Sequence, residues 1–133
     1  MKMVLAVGLV TLLPLGASAQ PLPGAASDPG REAVIILRFV NTVQAQMSRP
    51  AGAYGSLAQV LASPMFKEQF SGASRTDSAT ATVGQRTLVL VASEDQKHYQ
   101  AMVTPTDKCG VTMFTNDTGL IYSGRALGCD KQP

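Results

Sequence analysis

The sequence contains few of the residues that enzymes and metal sites use. It has one histidine, His98, and two cysteines, Cys109 and Cys129. None of the motifs G-x-S-x-G, H-E-x-x-H, G-x-x-x-x-G-K-[ST] or C-x-x-C occurs in it. The enzyme classes that these motifs mark therefore have no support, and we expect a non-enzymatic protein without a cofactor.

The chain also lacks a strong net charge. Without Lys2, which lies in the N-terminal segment described next, ten Lys and Arg residues stand against nine Asp and Glu residues. A nucleic-acid-binding domain would show a basic patch or stripe, so we expect no nucleic-acid partner. The arginines are spread along the chain and predict separate surface charges: Arg31, Arg38, Arg49, Arg75, Arg86 and Arg125.

The N-terminus is typical of a secretory signal peptide. Lys2 precedes an apolar run over residues 4–16, and Ala17-Ser18-Ala19 supplies the small residues of a cleavage site. A membrane-spanning helix needs about 20 apolar residues, whereas this run is shorter and contains Pro14. No cysteine follows it, so a lipoprotein anchor is not indicated.

We therefore predict a signal peptide over residues 1–19, a Pro/Gly/Ala-rich linker over 20–30 and a single domain over 31–133. Removal of 19 of the 133 residues leaves 114, a usual size for one domain. The predicted location is the periplasm or the extracellular space, without stable membrane insertion after cleavage.

The two cysteines are predicted to form a disulfide bond. An exported chain meets an oxidising compartment, where paired cysteines are normally oxidised. Cys109 and Cys129 flank the last two predicted strands, which a hairpin would bring side by side. With only His98 nearby, the pair cannot complete a four-ligand zinc site of the usual kind.

A long amphipathic helix is predicted near the start of the domain. Asp28 can cap it, Pro29 suits its first turn, and the helix should extend to about Ser48 and end before Pro50. Polar side chains, among them Gln44, are expected on its solvent side. Apolar residues recur at steps of four, three and four residues and should face the core: Ile36, Val40, Val43 and Met47.

The remaining segments predict short helices and then strands. Ser56 can cap a helix that carries Leu57, Val60 and Leu61, and residues 65–70 predict another helical turn. The Ser/Thr/Ala-rich residues 71–84 predict a loop of low complexity. Four strands with polar turns follow, at 87–92, 98–104, 111–115 and 120–123. The predicted fold class is α+β, with an N-terminal amphipathic helix packed on a C-terminal four-stranded antiparallel sheet.

Asp117-Thr118-Gly119 allows two interpretations. The tripeptide supplies the catalytic aspartate of aspartic proteases, which need two such loops. A single copy would require a symmetric dimer, so the alternative function is a small periplasmic hydrolase that uses Asp117. The favoured interpretation is the tip of a hairpin, where Gly119 adopts positive φ.

Aspartates near the C-terminal turns leave one further alternative open. Asp107, Asp117 and Asp130 could in principle coordinate calcium. Scattered aspartates are more often turn formers, so we expect no metal.

Two stretches resemble type IV pilin-like and pseudopilin-like proteins. AVIILRFVNTVQAQMSRPAGAYGSLAQVL (33–61) is similar to the part of the long pilin helix that follows the membrane segment and runs into a Tyr/Gly bend. The matching positions are Leu37-Arg38, Asn41-Thr42 and Ser56-Leu57 with Leu61. VTMFTNDTGLIYSG (111–124) is similar to the last hairpin of those proteins.

The resemblance covers roughly residues 31–129 and implies a pilin-like globular domain that lacks the N-terminal membrane helix. It implies a binding or accessory protein of the cell envelope, or of a secretion or pilus system. The expected partners are other proteins of that envelope or secretion system.

Overall fold

The computed structural model describes residues 29–129. The predicted signal peptide, most of the predicted linker and the last four residues lie outside the described residues. The elements follow in the order α1 (Pro29–Ala51), α2 (Leu57–Ala62), α3 (Pro64–Gln69), β1 (Ser74–Arg75), β2 (Thr80–Val83), β3 (Arg86–Ala92), β4 (Tyr99–Thr104), β5 (Thr112–Asn116) and β6 (Ile121–Gly124).

The sheet differs from the prediction. It has six antiparallel strands in the sequential order β1 to β6, so the predicted four-stranded sheet is wrong. The additional strands β1 and β2 lie within residues 71–84, which were predicted to form a loop. The order of helices before strands fits an α+β chain in broad terms, although strands make up more of the fold than expected.

Strand β2 forms because its short sequence alternates in the way that a half-buried strand requires. Ala81 and Val83 are buried and Thr82 is exposed. Val83 pairs with Arg86 across a two-residue turn in which Gly84 has φ 60°. Tight hairpin turns need positive φ, which glycine adopts without strain. This alternation was not recognised in the sequence because the segment is rich in Ser, Thr and Ala.

Helix α1 covers one face of the sheet, which we call the inner face, and contacts β4 and β5. The predicted apolar side is confirmed for Ile36, Val40 and Val43, which are fully or almost fully buried. The helix continues through Pro50 and ends at Ala51. Gly52 then takes φ 64° and donates its N–H to the carbonyl of Ser48. The C-terminal stop is therefore set by this glycine.

The prediction for Gln44 is wrong. Its side chain is completely buried, and its amide makes two hydrogen bonds with the backbone of Gly55. The Gln44 Nε2 donates to the Gly55 carbonyl at 2.9 Å, and the Gly55 N–H donates to Oε1 at 2.7 Å. A polar residue fits this buried position because the bend before α2 leaves backbone groups that need partners.

Ser56 caps α2 in a capping box with Gln59, as predicted. Helix α3 begins at Pro64, one residue before the predicted turn, and Ser63 caps it. Within residues 29–129, none of the helices combines the length and the hydrophobicity of a membrane-spanning segment.

Candidate functional site

The outer face of the sheet, opposite α1, carries a continuous row of apolar side chains. The strand register places Val89 of β3 opposite Met102 of β4, Met102 opposite Phe114 of β5, and Phe114 opposite Tyr122 of β6. We call these four residues the outer-face row. Met102, Phe114 and Tyr122 are 38%, 42% and 43% exposed, so three members of the row are partly open to solvent.

The row combines two stacked aromatic rings with a shallow cavity. The Phe114 and Tyr122 rings stack with centroids 5.3 Å apart and planes 20° from parallel. Beside them, Val91 is 54% exposed. A shallow cavity of about 430 Å³ is lined by Val89, Val91, Met102 and Phe114 together with Gln100 and Asn116. Aromatic residues and Met with a few polar groups are the composition typical of protein interfaces.

The outer-face row was not predicted, because the sequence of β3 does not show which of its faces is exposed. Apart from Thr87, the run TLVLVA over residues 87–92 is apolar, which is typical of a buried strand and does not indicate which face is exposed. The structure buries Leu88 and Leu90 but exposes Val91. Met102 and Phe114 lie directly opposite each other on neighbouring strands, and this pairing could have identified the outer-face row. The pairing cannot be recognised before the register of the strands is known.

The Asp117-Thr118-Gly119 segment forms the tip of the β5–β6 hairpin, as predicted. Gly119 has φ 75° and donates its N–H to the Asn116 carbonyl at 2.9 Å. The Asn116 side-chain oxygen accepts from the Thr118 N–H at 3.0 Å. These bonds are those of a tight turn built from Asn, Asp and Gly.

The hairpin tip is attached to α1 by a polar network around Asn41. The Asn41 Nδ2 donates to the Thr115 hydroxyl and to the Gly119 carbonyl, each at 3.1 Å. The Tyr99 hydroxyl donates to Asn41 Oδ1 at 2.8 Å, and the Thr115 hydroxyl donates to the Leu120 carbonyl at 2.7 Å. Burial raises the pKa of the Tyr99 phenol well above its usual range, so Tyr99 remains a donor. The network fixes the hairpin that carries Phe114 and Tyr122.

The Asp117 side chain forms an ion pair that the sequence did not predict. Its Oδ2 lies 2.9 Å from Nδ1 of His98, with the two side chains 29% and 70% exposed. The hydrogen bond to Asp117 raises the pKa of the His98 imidazole above 6.5, and the negative charge of Asp117 adds to this effect. The hairpin interpretation accounts for the place of Asp117 in the turn, and the ion pair adds a contact with His98, directly before β4, that this interpretation does not include.

The surroundings of His98 do not form a catalytic triad among the described residues. The nearest hydroxyl in its hydrogen-bond network, that of Ser93, contacts the backbone N–H and carbonyl of His98 and donates to Asp95 Oδ1 at 2.6 Å. Among the hydrogen bonds of the described residues, none joins the Ser93 hydroxyl to the His98 imidazole. A dimeric aspartic protease would instead need Asp117 to share a proton with its symmetry mate.

The candidate calcium ligands are not brought together. The pairing of β4 with β5 puts Asp117 near one end of the sheet and Asp107 near the other, where Asp107 accepts the N–H of Cys109 at 3.1 Å. Asp130 lies outside the described residues. Between residues 29 and 129, no group of three His, Cys, Asp or Glu side chains could hold a metal ion.

Cys109 and Cys129 form the predicted disulfide bond, with their Cα atoms 5.3 Å apart. The bond closes a loop that contains the whole β5–β6 hairpin. It therefore restrains two members of the outer-face row, Phe114 and Tyr122.

In comparisons with known proteins, no protein-family model, no curated protein and no solved structure matches this chain. The likeness to type IV pilins rests on the sequence motifs alone.

Proposed function

We propose that this chain is an exported, non-enzymatic, pilin-like domain that binds a protein partner through the outer-face row. The partner is a protein of the cell envelope, or of a secretion or pilus system, that presents an apolar surface to the sheet. The domain works as a binding or accessory component in the periplasm or the extracellular space.

The single observation that carries the proposal is the exposure of the outer-face row. Three large apolar side chains from three neighbouring strands are each more than a third exposed and lie next to one another. Isolated exposed apolar residues are common on proteins, whereas a contiguous group marks a surface that is covered in the functional state. Aromatic residues are enriched in binding hot spots, and the stacked Phe114 and Tyr122 rings make up half of the row.

Two further observations support export and the pilin-like character. The Cys109–Cys129 bond fits an oxidising compartment. Asn41, which belongs to the pilin-like motif of α1, donates hydrogen bonds to Thr115 and Gly119 of the hairpin that belongs to the second pilin-like motif. The two motifs thus contact each other in the folded domain, which supports treating them as parts of one pilin-like domain.

Site-specific photocrosslinking in the native envelope fraction tests this function. A photoreactive amino acid at Tyr122 should give a discrete adduct with one protein. Met102→Asp should abolish that adduct, because it places a charge in the centre of the row. Thr82→Asp is the matched control, since Thr82 is exposed on the sheet outside the row.

Equal adduct yields from the Met102→Asp and Thr82→Asp proteins would contradict the proposal. An adduct between two copies of this chain would replace the envelope partner by self-association. Far-UV circular dichroism of both variants checks that neither loss results from unfolding.

A further inference from the structure

A second site lies on the inner side of the sheet, where three exposed arginines meet at one groove. Arg31 and Arg38 lie on α1, and Arg125 directly follows β6. The groove has a volume of about 650 Å³ and lies between α1 and the chain around β5 and β6. The fold thus brings Arg125 close to Arg31 and Arg38, although most of the domain lies between them in sequence.

The floor of the groove is apolar. Val34 and Ile35 lie between Arg31 and Arg38 along α1, and Met113 of β5 lies across from them. All three apolar side chains are half-buried. A ligand in this groove would therefore contact aliphatic groups in the middle and guanidinium groups on both walls.

The three guanidinium groups are unpaired within residues 29–129. The ion pairs of that part of the chain join Arg86 to Glu32 and His98 to Asp117. Glu32, the acidic residue closest in sequence to the groove arginines on α1, is thus already bound to a different arginine at 2.9 Å. The groove consequently presents three positive charges without an acidic counterpart from the described chain.

We propose that the groove binds an extended acidic segment of a protein partner, in which two carboxylates flank apolar residues. A planar guanidinium group binds a carboxylate through two parallel hydrogen bonds. Arg31 and Arg38 are seven residues apart on a helix, which corresponds to about 10.5 Å along its axis. This is the length of roughly three to four residues of extended chain, and acidic residues four apart project to the same side of such a chain.

The site is independent of the outer-face row, because the two lie on opposite sides of the sheet. The disulfide supports the groove as well, since Val111 and Arg125 both lie within the loop that Cys109 and Cys129 close. A failure of one proposal therefore leaves the other in place.

Binding of a labelled peptide tests the groove. The probe is Glu-Leu-Phe-Leu-Glu flanked by glycines, in which both glutamates project to the same side of an extended chain, and the comparison peptide has glutamine in place of both glutamates. In a fluorescence anisotropy titration at low salt, the full mature protein should bind the acidic peptide and not the glutamine peptide. Arg38→Gln and Arg125→Gln should each weaken binding about tenfold or more, because each removes charge-assisted hydrogen bonds.

Arg75→Gln is the matched control, because Arg75 is exposed on β1 and lies outside the groove. It should bind the acidic peptide like the unmodified protein. Absence of acidic-peptide binding, equal affinity for the two peptides, or equal effects of Arg38→Gln and Arg75→Gln would overturn the proposal. Binding of phosphatidylglycerol vesicles in place of the peptide would also overturn it and would indicate an anionic lipid as the ligand.

Discussion

Among the residues of α1 that face the bend at residues 52–56, Gln44 should be one of the most sensitive to substitution, so we expect Gln44→Ala to be strongly destabilising. The side chain is fully buried, and its two hydrogen bonds hold the N–H and the carbonyl of Gly55, which is itself buried. An unpaired buried backbone group costs about 1–3 kcal/mol. Loss of both partners should therefore lower the free energy of unfolding by about 2–6 kcal/mol, against a total of about 5–15 kcal/mol for a typical domain.

Urea unfolding followed by far-UV circular dichroism measures this change. With a slope of about 1–3 kcal/mol per molar urea, the midpoint should fall by roughly 1 M or more. Gln46→Ala is the control, because Gln46 is the same residue type two positions away on the exposed side of α1. It should change stability by no more than about 0.5 kcal/mol. If both variants unfold at the midpoint of the unmodified protein, the buried position of Gln44 is refuted.

Three further predictions concern the hairpin region. A double Cys→Ser variant at Cys109 and Cys129 should lose about 3 kcal/mol of stability and keep its far-UV spectrum, because the bond restrains a loop of about 20 residues in the unfolded chain. Thiol titration that finds two reactive thiols in the native, unreduced protein would contradict the bond. The His98–Asp117 pair raises the pKa of His98 in the folded protein above its ordinary 6.5. The pair therefore stabilises the fold below pH 6.5, and this contribution is lost as pH rises through the folded pKa. Asp117→Asn should lower the melting temperature slightly at about pH 5.5 and leave it unchanged at about pH 9, and a larger effect at the higher pH would refute the pair. Gly119→Val should cost about 1–2 kcal/mol because of the φ of 75°, whereas Gly119→Asn should be milder in the same thermal unfolding assay.

The sequence was sufficient for features that depend on local rules. The amphipathic side of α1 follows a helical period, the Ser56 cap follows a short motif, and the Asn-Asp-Thr-Gly turn follows from backbone requirements. The disulfide was predictable because the hairpin brings Cys109 and Cys129 together. Each of these features involves residues close in sequence or a single hairpin.

The features that failed depend on partners that the side chains themselves do not indicate. Gln44 is buried because the bend at Gly55 supplies its partners, and the polarity of a side chain does not indicate this. Strand β2 was missed because a strand of small residues gains its stability from pairing with β3 rather than from its own apolar content. The outer-face row and the arginine groove appear only once the strand register and the helix position are known.

The proposed role of the outer face is tested most directly by oxidative footprinting of the protein in the native envelope fraction and in its purified form. Met102, Phe114 and Tyr122 are the residues to compare, and Leu127 serves as the reference because it is fully exposed on the C-terminal loop. If the outer-face row binds a partner, all three residues should be oxidised readily in the purified protein and strongly protected in the envelope, while Leu127 is labelled alike in both. Equal labelling of the three residues in the two preparations would contradict the proposed binding surface.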